Sequence, residues 1–333
     1  MPARLLLVAI AIATALAAPP ALADDDDWVW SVQIENDMFG SGVDQHYTHG
    51  TRISAQVPLD DEGWLTRKVL HLSDRTPGYA TIATSRVSYV LGQSMYTPSD
   101  ITIPAPQPND RPYAGWTYVG AAVETVRPKT TDIIELNVGI VGPSSYAEQI
   151  QTRVHDIVGS PEPRGWEHQL SDEPGIVLAY VRRWRDKPLG DLYGWSSDVV
   201  PHAGLNAGNI FTYGAIGATF RIGHNLATDE GPPRAIRPSL PGSDFFDADA
   251  MPGGYFFVGF EARAMARNIF LDGNTFRDSA SVDKELLVGD IQAGFVLNAG
   301  SYRLALSQTI RSREFEGQES TDMFGALTLS VRF

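Results

Sequence analysis

The side chains whose types and spacing could do chemistry gather in three stretches of this chain. The first, residues 34–50, reads Ile-Glu-Asn-Asp-Met-Phe-Gly-Ser-Gly-Val-Asp-Gln-His-Tyr-Thr-His-Gly. It collects carboxylates (Glu35, Asp37), an amide (Asn36), a hydroxyl (Thr48) and two imidazoles (His46, His49) between two segments of alternating polarity. Imidazole exchanges protons near neutral pH, and the gathering exceeds what a hairpin turn requires. A solvated, Gly-rich hairpin loop would share the composition, and the local sequence does not choose between the two. The second stretch is Pro108-Asn109-Asp110-Arg111-Pro112-Tyr113-Ala114-Gly115-Trp116, and the third runs from Gly142 to Glu173.

The third stretch contains the one convincing helix. Ser145 and Glu148 have capping-box spacing, Ile150, Val154, Ile157 and Val158 form an apolar stripe, and Gly159 and Pro161 end it. If that stripe lies on a wall, Gln151 and His155, one turn apart, share the adjacent edge. A lone histidine on a short helix is also common as a structural or solvated group.

Period-2 alternation supplies the elements that position these residues. Ser31, Gln33 and Glu35 oppose Trp30, Val32 and Ile34; Glu135 and Asn137 oppose Ile134, Leu136 and Val138. Thr328 and Ser330 oppose Leu327, Leu329 and Val331 before the terminal Phe333. On the second strand Tyr47, Ile53, Ala55 and Val57 are assigned one face and Thr48, Arg52, Ser54 and Gln56 the other. About twelve such strands of roughly ten residues predict an all-β protein, a transmembrane antiparallel β-barrel with a short helix in an extracellular loop. Only a closed sheet satisfies every backbone N–H and C=O inside hydrocarbon. A soluble β-sandwich shares the alternation but favours shorter strands. Trp28, Trp116, Tyr118, Trp184 and Trp195 are expected in the interfacial aromatic girdles.

The chain opens with Arg4, an apolar run from Leu5 to Ala18, and Ala21-Leu22-Ala23 before Asp24, the pattern of a cleaved signal peptide. Residues 1–23 are therefore expected to be removed, leaving 24–333 as a single barrel domain. A net charge of −14 argues against nucleic acid as a partner. There is no cysteine, hence no thiol nucleophile, and no Gly-x-Ser-x-Gly elbow to suggest a serine triad. With both termini periplasmic, residues 36–46, 95–113, 141–174, 207–209, 269–283 and 311–323 open on the outer rim, so all three polar clusters share that rim. The connections at 58–86 and 224–254 are long for periplasmic turns.

Taken in order, Glu35-Asn36-Asp37, Tyr47-Thr48-x-Gly50, Asn109-Asp110-Arg111-Pro112-Tyr113-Ala114-Gly115-Trp116, Gly142-Pro143-Ser144, Glu148-Gln149 with His155, and Gly165-Trp166-x-x-Gln169-Leu170 resemble the LpxR family, outer-membrane lipid A 3′-O-deacylases of Gram-negative bacteria. The resemblance implies a twelve-stranded barrel, integral to the outer membrane, that hydrolyses the ester-linked 3′ acyloxyacyl chain of lipid A. It implies a site between the barrel wall and a loop helix, a histidine that activates water, and Ca²⁺ at the oxyanion hole. Matched residue by residue, His155 corresponds to the general base, Asn36 and Asp37 to the pair ending the first strand, and Thr48 to the hydroxyl opening the second. The family's acid six residues after the histidine is Pro161 here, which leaves Glu162 as the candidate for its role and, with Asp37, as a metal ligand. Lipopolysaccharide of the outer leaflet is the implied partner and a monomer the expected state. A porin or a non-enzymatic barrel would share the fold.

The alternation that ends on Phe333 makes the last strand the closing one. Deleting Phe333 is expected to impair outer-membrane assembly; unchanged heat-modifiable migration in gels would contradict this.

Overall fold

The computed structural model describes residues 28–39, 45–58, 84–185, 187–226, 229–236, 238–246 and 252–333. The expected signal peptide lies outside the described residues. The strands are β1 (Val29–Asn36), β2 (His46–Pro58), β3 (Thr84–Thr97), β4 (Ala114–Val126), β5 (Thr130–Val141), β6 (Glu173–Trp184), β7 (Pro188–Leu192), β8 (Trp195–Gly208), β9 (Phe211–Gly223), β10 (Gly253–Asn268), β11 (Leu287–Ala299), β12 (Tyr302–Arg311) and β13 (Asp322–Arg332). The helices are α1 (Ala147–Val158) and the single turn α2 (Ile269–Asp272).

All strand pairings are antiparallel between chain neighbours except at two closures. β1 pairs with β13 from Val29↔Arg332 to Asn36↔Gly325, and β6 pairs with β8 from Val177↔Gly208 to Arg183↔His202. The short β7 forms a hairpin with the start of β8. The ring is thus made of twelve long strands, with β7 an added thirteenth.

The two faces separate by chemistry. On β5, Ile134, Leu136 and Val138 point out and are about half exposed, while Glu135 and Asn137 are buried inside. On β10, Phe256, Val258 and Phe260 point out and Glu261 and Arg263 point in. The outer face is the apolar band of a membrane barrel. Two assignments change. Trp116 and Tyr118 stack at 4.2 Å inside the ring rather than in a girdle. Tyr47 also faces inward, because a bulge at Thr48 shifts the β2–β3 register and reverses the side-chain parity beyond it. Its hydroxyl lies over Gly50, where a Cβ would come within 2.1 Å.

The long connection between β9 and β10 turns up into the lumen, so its length reflects a plug rather than a simple periplasmic turn. Its described residues are largely buried and meet inward-facing strand side chains. Arg52 on β2 makes a two-pronged ion pair with Asp244, both contacts 2.8 Å. Arg234 reaches Glu135 at 3.3 Å and Glu124 at 3.5 Å. Ser243 donates to Glu124, Ser239 to Asp290, and the Ile236 N–H to Glu35. Buried charges are tolerated only when paired in this way. Above the plug, Tyr47, Tyr96, Trp116, Phe211, Phe270 and Phe324 belong to one buried aromatic-rich cluster.

Burial raises the pKa of the Asp244 carboxyl, but Arg52 and Arg234 outweigh it and hold the group below the usual carboxylate range. A depressed folded-state pKa stabilises above the unfolded value of about 3.9 and fades as pH falls through the folded one. Asp244→Ala leaves Arg52 buried without its partner, a change that costs roughly 3–5 kcal/mol in comparable pairs. It is expected to lower the heat-modification midpoint at neutral pH, with the gap from wild type narrowing below about pH 4.

Candidate active site

β1 ends at the outer rim on Asn36, and Asp37 opens the 3₁₀ turn Asp37–Phe39. The Asn36 amide donates to the Thr48 carbonyl at 2.9 Å and accepts the Met38 N–H at 2.9 Å, pinning the turn to the β2 bulge. Asp37 is buried, and its Oδ2 accepts the Gln45 N–H at 2.5 Å. The Thr48 hydroxyl meets that of Thr97 on β3 at 2.7 Å. One step below, Glu35 accepts from Tyr47 at 2.7 Å, Gln33 at 2.8 Å and the plug's Ile236 N–H at 3.0 Å. The plug therefore supports this corner from beneath.

The path into α1 differs from the expected capping box. Gly142 takes φ +100, and a Cβ there would lie 2.6 Å from the backbone of residues 171 and 172, so the turn requires glycine. Pro143–Ser145 then forms a 3₁₀ turn in which the Ser145 hydroxyl donates to the Gly142 carbonyl at 2.6 Å instead of capping the helix. Tyr146, in the left-handed region, is the N-cap and provides no side-chain bond. The Ser145 carbonyl is held by Gln93 on β3 and Thr117 on β4, both at 2.7 Å. These wall contacts set the roll of the helix. The face it buries is Ala147, Gln151, His155 and Val158, whereas Ile150 and Ile157, expected in the docked stripe, are exposed beside Tyr146.

His155 and Gln151 are consequently fixed side by side against the wall. His155 Nδ1 lies 2.6 Å from the Pro161 carbonyl. A carbonyl can only accept, so Nδ1 carries the hydrogen and the neutral ring keeps its lone pair on Nε2. Gly159, at φ +75, caps the helix with its N–H on the His155 carbonyl and lets the chain double back to place Pro161 there. The Gln151 Oε1 accepts the Trp166 indole N–H at 2.7 Å, which decides the amide's orientation; its Nε2 is buried and meets no acceptor among the described residues. Ser160 beyond the helix reaches the Met38 sulfur at 3.9 Å, joining the α1 turn to the Asp37–Phe39 turn.

The structure thus brings Asn36, Asp37 and Thr48 into one corner and seats the end of the His155 helix on it. Glu162 is not brought in: its side chain is exposed and lies 3.4 Å from Arg164. The hydrogen on His155 Nδ1 is taken by the backbone of Pro161 instead. Among the described residues no group of three or more His, Asp or Glu could hold a metal ion. The corner still offers a buried carboxylate amid amide, hydroxyl and carbonyl oxygens, the donor chemistry that Ca²⁺ accepts. Two contributors escaped sequence reasoning. The Pro161 carbonyl is invisible because proline offers no side-chain chemistry, while the Gln151–His155 spacing of four was visible without its role.

A family model described as "Outer membrane protein LpxR" matches residues 6–333. Among solved structures, LpxR from Salmonella typhimurium is 19% identical, covers 92% of this chain and 100% of its own, and superposes with a TM-score of 0.73. The β-domain of the Bordetella autotransporter BrkA is 11% identical over 93% of this chain and 99% of its own, at a TM-score of 0.43. No curated protein matches the chain by sequence. With a closed twelve-stranded barrel, a rim helix bearing a buried histidine, and a family match over nearly its whole length, this chain belongs to the LpxR family of outer-membrane proteins.

Proposed function

We propose that this protein is a lipid A 3′-O-deacylase, hydrolysing the ester of the 3′ acyloxyacyl chain in the outer leaflet. The observation that carries the reading is the pair His155 and Gln151, both buried on the α1 face against the barrel wall in a member of this family. His155 Nε2 takes a proton from water as the water attacks the ester carbonyl, and the Nδ1 bond to Pro161 holds the ring for that transfer. Gln151 Nε2 donates to the oxygen that becomes negative, and because its orientation is fixed by Trp166 no reorganisation is needed. His155 then returns the proton to the departing sugar oxygen, giving a free fatty acid and a lipid A alcohol.

Asp37, with Asn36 and Thr48 beside it, is where Ca²⁺ would be held; a bound cation supplies positive charge near the developing oxyanion. The exposed Tyr146, Ile150 and Ile157 on the outer side of α1 suit contact with acyl chains. Residues 1–23 act as the export signal in this reading, and one copy of the chain suffices. The plug and the aromatic cluster above it argue against an open channel.

Lipid A from cells expressing the protein is expected to lose the mass of the 3′ acyloxyacyl group in mass spectra. His155→Asn is expected to keep the barrel folded yet lower hydrolysis by at least about two orders of magnitude, whereas His168→Asn changes it little. Gln151→Glu keeps the acceptor for Trp166 but removes the donors, and is expected to lower kcat by about 10²–10³ with KM little changed. Near-wild-type rates in folded His155→Asn enzyme would refute the base assignment.

Removal of Ca²⁺ with a strong chelator is expected to abolish activity and excess Ca²⁺ to restore it, while Asp37→Ala stays impaired in excess ion. Activity that persists in the chelator would take the metal out of the mechanism.

A further inference from the structure

On the same rim, a second group of side chains has a reactive geometry that the proposed deacylase does not use. His46, at the start of β2, is buried and stands between Ser99, just beyond β3, and Asp322, the first residue of β13. The Asp322 Oδ1 lies 2.5 Å from His46 Nδ1, and the Ser99 hydroxyl lies 3.0 Å from His46 Nε2. A carboxylate only accepts, so Nδ1 carries a hydrogen, and in the neutral ring Nε2 is left as the acceptor for the serine hydroxyl. This order of contacts, acid to Nδ1 and hydroxyl to Nε2, is that of a serine nucleophile with its base and orienting acid.

Three further features mark the group as built. The imidazole is packed edge-on against buried Phe315 at 5.4 Å between centroids, which holds the ring plane. His46 adopts φ +61, a left-handed conformation that a non-glycine residue keeps only when its surroundings enforce it. Ser99 is exposed and faces a cavity of about 460 Å³ that also contacts Gln45, Asn109 and Ser320. The pattern lacks a Gly-x-Ser-x-Gly elbow because the serine follows the end of a barrel strand, β3, rather than standing at a strand-to-helix turn.

We propose that Ser99, His46 and Asp322 form a second hydrolytic site, distinct from that of His155, which cleaves small neutral carboxylic esters through an acyl-serine intermediate. The Ser99 oxygen bonds to the ester carbonyl carbon as its proton passes to His46 Nε2. The carbon–oxygen bond to the alcohol then breaks and the alcohol leaves with that proton. Water attacks the acyl group, giving a proton to His46, and the acid departs as the proton returns to Ser99. Neutral substrates are favoured because Asp110 lies 3.7 Å from His46 Nε2 and accepts the Ser99 N–H at 2.8 Å, placing a fixed negative charge beside the nucleophile.

The test is labelling of the purified, folded full-length protein with a fluorophosphonate probe, followed by intact mass and peptide mapping. One adduct on Ser99 is expected, absent in Ser99→Ala and retained in His155→Asn, so its fate is independent of lipid A cleavage. Asp322→Asn, which lets the wrong imidazole nitrogen carry the hydrogen, is expected to slow labelling by at least about 10²-fold; the analogous change in the serine-protease triad costs about 10⁴. Heat-modifiable migration verifies that each variant is folded. No Ser99 adduct on folded wild-type protein would overturn the proposal, as would labelling at an unchanged rate in folded Asp322→Asn.

Discussion

Ring closure is the constraint on which the remainder of the structure depends. Hydrocarbon offers no hydrogen-bond partners, so β1 must meet β13 and β6 must meet β8 along their lengths. Closure with strict alternation turns every second side chain inward. The lumen therefore receives Arg52, Glu124, Glu135, Glu261, Arg263, Asp290, Arg303 and Arg311, all buried. Such a set is stable only as a paired network. Asp290 serves both Arg263 and Arg311, and Arg303 meets Asp229.

The strands do not close that network by themselves, and the plug completes it. Asp244 answers Arg52, Arg234 answers Glu124 and Glu135, and backbone carbonyls at Pro238 and Phe245 take the spare donors of Arg311 and Arg303. Polar pairing beneath and aromatic packing above convert a ring into a solid support. Through Glu35, which bonds both Tyr47 and Ile236, the support extends to the turn bearing Asn36 and Asp37. The corner at the rim gains a rigid base this way. The two rim histidines rest on it differently. His155 is carried by a helix laid across β3 and β4, while His46 is clasped between strand ends.

The barrel and its rim loops were legible in the sequence because period-2 alternation is local and repeats. Ile134 to Val138 and Phe256 to Phe260 each display the inside and the outside within a few residues. Parity failed at Tyr47, since a one-residue bulge reverses it and leaves no signature in residue type. The helix was legible too, but its roll was not. An apolar stripe predicts docking only if the surface it meets is apolar, and the wall instead offered Gln93 and Thr117 to the Ser145 carbonyl.

By itself, then, the sequence determined what depends on spacing: the strand faces away from the β2 bulge, the order of rim loops, the helix carrying Gln151 and His155, and the motifs Asn36-Asp37 and Tyr47-Thr48 on which the family resemblance rests. Only the tertiary structure decided what depends on residues distant along the chain. It gave the hydrogen of His155 Nδ1 to the Pro161 carbonyl while Glu162 turned to Arg164. It filled the lumen with a connection that had looked merely long. It also brought residues 46, 99 and 322 within hydrogen-bonding distance, because ring closure sets the first strands of the chain beside the last.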